Sequence, residues 1–188
     1  MEHYKPTLYS IGHGTRTATE FVSLLGSFTI QHLADIRSYP GSKRNPQFGQ
    51  EPLRESVGQA GISYAWFPHL GGLRRTGLGI QSPHQALTSA AFRNYADHMD
   101  SPEFGADVKE LLRLAGMGRT CFMCAETVPQ RCHRLLLADY LFAQGVQVMH
   151  ILDRDRSAPH VLSPHATIQQ GRLIYTGPDH GQIALKLP

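Results

Sequence analysis

The chain has 188 residues, a formal net charge of +3, and 41% hydrophobic against 18% charged residues. That length suits one domain around one core, and the composition excludes a fibrous or disordered chain. No apolar run approaches the ~20 residues of a membrane helix, and the charged opening MEHYKPTLYSIGHG has no apolar signal core, so neither membrane nor export is expected.

In chain order, TLYSIGHG (7–14) reads as a strand stopped by glycines, and Thr17 or Thr19 as the cap of a helix burying Phe21, Leu24 and Leu25. IQHLADIRS (30–38) reads as a second strand ending in a Tyr39–Pro40–Gly41 turn. Pro52 opens a helix that Gly61 closes. ISYAWFPHL (62–70) is a third strand, running into the flexible GGLRRTGLG. No element is assigned to 81–87; helices follow over 90–99 and 103–115, split near Ser101 and Pro102. TCFMCAE (120–126) is a compact apolar strand, CHRLLLADYLFAQG a helix ended by Gly145, and VQVMHIL (146–152) a last buried strand. The tail from 153 is rich in proline and histidine and closes with a small strand over 172–175. Strands alternating with helices predict a single α/β domain with a mostly parallel sheet, whose site lies beyond the strands' carboxyl ends.

Two segments at such ends carry the chemistry. In DIRSYP, Asp35 and Arg37 share one strand face and can bind a polar ligand or tune each other's charge. A structural ion pair is the plainer explanation. CAETVPQRCHR packs Cys124, Glu126, Cys132, His133 and Arg134 into a strand-loop-helix turn, where a helix N-terminus favours thiolates and anions. Cys124 as a small buried hydrophobe is the alternative. Glu126 or Asp35 could activate water or stabilise a developing cation; an ion pair of Glu126 with Arg37 or Arg134 stands level with that. Cys121 and Cys124 form C-x-x-C with Cys132 and His133 nearby, but positions 121 and 124 point to opposite strand faces and a zinc site wants four ligands in a compact knuckle, so no metal is expected in this cluster.

DIRS is similar to the DVR segment of rhodanese-type domains, and Cys124 takes the place of a strand-end nucleophile. Glu126 would repel an anion there, however, and Pro129 removes an amide donor. Around these segments, Arg74 and Arg75 in the glycine-rich stretch could clamp phosphates, with Gly71 and Gly72 allowing close backbone approach. Tyr39 or Tyr64 could stack on a base. His13, flanked by glycines after the first strand, is a further candidate, whereas His150 reads as a core histidine.

YSIGHG, LADIRSYPGSKRNPQF, GISYAWFPHLGG, CFMCAETVPQRCHR and VMHIL, in that order, resemble the bacterial and archaeal family called domain of unknown function 488. The likeness runs from Tyr9 to about His160. It implies an α/β fold with a central sheet, and places Asp35, Arg37, Pro40, Phe48, Gly71, Gly72, Cys124, Glu126, Cys132, His133 and Arg134 at motif positions. His13-Gly14 departs from the histidine-serine of many members. The family name implies no reaction.

The acids, the arginines and the basic balance (pI near 8.9) favour an enzyme acting on nucleic acid, most concretely a DNA N-glycosylase that removes a modified or damaged base. Asp35, Glu126, His133 and Cys124 would be catalytic. His13, Arg37, Tyr39, Phe48, Tyr64, Gly71, Gly72, Arg74, Arg75, Cys132 and Arg134 would bind substrate. No cofactor is expected, because neither phosphate-binding nor dinucleotide-binding glycine motifs occur. Sulfur transfer or disulfide exchange through Cys124 or Cys132, and a non-catalytic nucleic-acid module, are the alternatives. Three cysteines, an odd number, suit reduced thiols in a cytoplasm.

Overall fold

The computed structural model describes residues 6–41 and 43–176. Six strands form the central sheet in the order β3-β2-β4-β1-β5-β6. These are β1 (Thr7–Gly12), β2 (His32–Asp35), β3 (Ser63–Trp66), β4 (Thr120–Cys124), β5 (Gln147–Asp153) and β6 (Arg156–Pro159). The first five run parallel, and β6 returns antiparallel along β5.

Helices cover both faces. One core gathers Phe21, Leu24 and Leu25 of α1 (Ala18–Ser27) and Leu53 and Val57 of α2 (Gln50–Gln59) against Ile11, Leu33 and Met123. The other packs α3 (Ala90–His98), α4 (Pro102–Met117) and α5 (Arg134–Ala143) onto Leu8, Ala34, Phe122 and Val148. β1 and β4 lie in the middle and carry apolar residues on both faces, Leu8 and Phe122 toward one core and Ile11, Cys121 and Met123 toward the other.

Local signals account for the helix boundaries. Thr17 caps α1 in a reciprocal box with Glu20. Ser101 caps α4 with Pro102 in its first turn, which separates it from α3. Two elements differ from the sequence expectation. The strand over 147–153 is not the sheet's last, because β6 covers its edge, with Pro159 on the outer strand where a missing N–H costs no ladder bond. The predicted strand at 172–175, β8 (Arg172–Tyr175), stands apart from the main sheet and pairs with β7 (Ala166–Gln169).

Buried polar groups hold this β7–β8 hairpin to α5. Asp139 of α5 is fully buried and accepts from the Tyr175 hydroxyl at 2.8 Å, the Ser163 hydroxyl at 2.6 Å and the Ser163 N–H at 2.8 Å. His160 adds a 3.0 Å contact to the same carboxylate and itself meets His150 at 3.0 Å.

Candidate functional site

Because β1 to β4 are parallel, the loops after their C-terminal ends gather along one edge of the sheet. Close backbone approach locks them together. A Cβ on Gly12 would lie 1.8 Å from the Glu126 carbonyl oxygen, and one on Gly71 would lie 2.6 Å from Cα of Ser38. One on Gly72 would lie 2.3 Å from Nδ1 of His133. Only glycine permits these contacts. Leu73 N–H then donates to the Ser38 hydroxyl at 2.9 Å, fastening the glycine-rich strap over the end of β2.

Asp35 and Arg37 form a forked ion pair under this strap. The guanidinium donates through Nε to Oδ1 at 2.9 Å and through Nη2 to Oδ2 at 2.5 Å, and the Tyr64 hydroxyl donates to Oδ2 at 2.7 Å. Arg37 also reaches the Phe48 carbonyl at 2.8 Å. Asp35 has no exposed surface and neither oxygen is free. The carboxylate expected to be catalytic is thus turned inward, with both oxygens bonded within the fold. Arg37 is likewise spent on the pair rather than on substrate.

Glu126 is placed differently. It is half-buried, its Oε1 accepts the Val128 N–H at 3.1 Å, and it makes no ion pair among the described residues. The alternative of an ion pair with Arg37 or Arg134 is not seen among the described residues. Arg134, 1% exposed, instead donates to the main-chain carbonyls of Glu126 at 2.6 Å and Thr127 at 3.3 Å, and to Ser10 Oγ at 3.2 Å. It holds the loop that carries Glu126 and cannot reach a phosphate.

Cys124, Cys132 and His133 come together behind Glu126. Nδ1 of His133 lies 4.0 Å from Cys124 Sγ and 3.7 Å from Cys132 Sγ. Nε2 donates to the Ile36 carbonyl at 3.1 Å, which fixes the tautomer with the Nδ1 lone pair toward the sulfurs. The Cys124 S–H beside Cys132 holds the Cys132 thiol below its usual range against the opposing effect of burial, and Cys124 is pushed up in turn. Cys121 faces the other core and is fully buried, which raises its thiol. Cys121 and Cys124 thus lie on opposite faces as expected, while Cys124, Cys132 and His133 gather into a trio without Cys121. Glycine contacts and the Ile36 carbonyl have no signature in spacing.

Other expected substrate contacts divide by exposure. Tyr39 is 73% exposed and Arg75 is exposed, both open to a ligand. Arg74 is half-buried and ties down its own strap, donating to the His69 carbonyl at 2.7 Å. Tyr64 is bound to Asp35. Phe48 is fully buried and stacks on His13 with centroids 4.0 Å apart, so neither ring meets a substrate base. Burial pushes the His13 imidazole down to about 4. Cys132 is also buried.

A family model described as domain of unknown function DUF488 matches residues 17–141. The chain belongs to this family. The match spans the DIRSYP and CAETVPQRCHR segments and the strap between them, so the gathered loops lie almost wholly inside the DUF488 region. No curated protein and no solved structure matches the chain. No helix among the described residues is long and apolar enough to cross a membrane.

Proposed function

We propose that this DUF488 protein hydrolyses an N-glycosidic bond in nucleic acid, releasing a modified or damaged base from DNA. The observation that carries this reading is the contrast between two acids at adjacent strand ends: Asp35 is consumed by Arg37 and Tyr64, whereas Glu126 is half-buried and makes no ion pair among the described residues. A carboxylate fixed by backbone N–H but open to water is what a general base requires. Glu126 would take a proton from a water that attacks the sugar C1′. The C1′–N bond breaks, its electron pair leaves with the base, and that nitrogen recovers the proton. Lys43, Arg44, Arg75 and Arg131 are exposed on loops at this same edge and supply cations for the phosphate backbone. Tyr39, beside them, offers a ring for an extruded base.

The test is a cleavage screen on oligonucleotides carrying a panel of modified bases, followed by alkali to break abasic sites. Glu126→Gln should lose at least ~100-fold of the rate. Salt-sensitive binding with no cleavage would replace the enzyme by a binding module.

A thiol enzyme is the second reading, favoured by the lone pair of His133 facing both sulfurs. Stoichiometric alkylation of Cys124 or Cys132 in the native protein, fast at neutral pH and slowed in His133→Ala, supports it; both thiols inert to iodoacetamide in the native protein remove it.

A further inference from the structure

The geometry points to a metal site of the zinc class formed by Cys124 Sγ, Cys132 Sγ and His133 Nδ1. These three donor atoms lie within 4.8 Å of one another. In a tetrahedral zinc site, bond lengths of about 2.3 Å to sulfur and 2.0 Å to nitrogen set S···N near ~3.5 Å. The S···N distances here are 3.7 and 4.0 Å, so closing on an ion needs only small side-chain rotations.

Two independent features prepare the site. First, the His133 Nε2–H is held by the Ile36 carbonyl at 3.1 Å, the outer-shell bond that orients a ligating imidazole and leaves Nδ1 as the ligand. Second, the Gly72 backbone packs directly against the imidazole, where a Cβ would lie 2.3 Å from Nδ1 and 2.5 Å from Cγ, so the ring is held in place from that side. Two thiolates and one imidazole, with no carboxylate in the set, select a soft or borderline cation over magnesium or calcium. The two thiolates neutralise a divalent charge within the fold, where all three donors are buried. Cys121, fully buried in the opposite core, takes no part.

This inference stands independently of the glycosidic reading, and its test reads metal alone. The full chain, stripped with chelator and kept reduced, is titrated with cobalt(II). One equivalent should bind, with near-ultraviolet bands from thiolate-to-cobalt charge transfer and visible bands of tetrahedral intensity, and zinc should displace it one for one. Cys124→Ser and Cys132→Ser should each lose most of the charge-transfer intensity, while Cys121→Ser keeps it. Gly72→Ala, whose methyl must push the imidazole aside while both sulfurs are kept, should weaken cobalt binding at least tenfold while circular dichroism shows the fold intact. No charge-transfer band in the wild type, or a band that survives in Cys124→Ser, overturns the site.

Discussion

Tyr64 and Arg37 converge on one oxygen of Asp35, the phenol at 2.7 Å and the guanidinium at 2.5 Å, so a single buried carboxylate joins β2 to β3 and to the loop before α2. Removing each partner should have unequal consequences. Tyr64→Phe leaves the ion pair intact and should cost about 1 kcal/mol, the worth of one hydrogen bond. Asp35→Ala strands a buried guanidinium and should cost about 3–5 kcal/mol. Urea midpoints of the two variants check the ranking; equal losses would mean that the pair is not the central element.

Arg134 is buried and reaches no carboxylate among the described residues, leaning on two carbonyls and a hydroxyl. Lysine keeps the charge but not the fork. Arg134→Lys should therefore destabilise the chain by about 2–3 kcal/mol and let the Glu126 loop drift, lowering any Glu126-dependent rate more than substrate affinity. A kcat unchanged beside a raised KM would instead make Arg134 a substrate contact.

Gly12→Ala should be among the most damaging small substitutions, since the new methyl meets main chain rather than a movable side chain. Either β1 or the 125–127 loop must shift, with a loss on the order of 3 kcal/mol or more. Gly26→Ala, where no atom lies within 4 Å of the added carbon, should be neutral or slightly stabilising. Thermal melts of the pair provide the comparison.

Acid should unfold the protein partly through its histidines. Burial lowers both His13 and His150 from 6.5 to about 4. A depressed folded-state pKa contributes stability that is fully present above about pH 6.5 and is lost as pH falls toward 4, because the unfolded chain takes up the protons first. Each group contributes on the order of 2–3 kcal/mol over that window. His13→Phe keeps a ring against Phe48 without a titrating nitrogen and should flatten the dependence of the urea midpoint between pH 7 and 5. An unchanged slope would place the acid sensitivity elsewhere.

The fold was largely legible because its signals are local. Thr17 with Glu20, Ser101 before Pro102 and the apolar run 120–124 each declare an element within a few residues. β6 was not, since RSAP has neither apolar alternation nor length and owes its place to the edge of β5. At the site, spacing identified the right segments but not the division of labour within them. Asp35 and Glu126 look alike as acids at strand ends; burial and the reach of Tyr64 from a neighbouring strand separate them, and both are tertiary facts. The same holds for Arg134, which reads as a phosphate ligand until its carbonyl partners, supplied by a loop, are in view.

The hydrogen bonds that Asp139 collects from Ser163 and Tyr175 set an order on the making of the protein. Helix α5 emerges during synthesis carrying a carboxylate destined for the interior, and every group that will accompany it inside is encoded at least twenty residues later. Until those residues arrive, the Asp139 carboxylate keeps its water. The hydrogen-bond partners of His133 and Arg134, by contrast, all precede residue 141, where the DUF488 match ends. A nascent chain halted after the match would hold those partners of the candidate site and still leave one wet carboxylate on the helix that follows it.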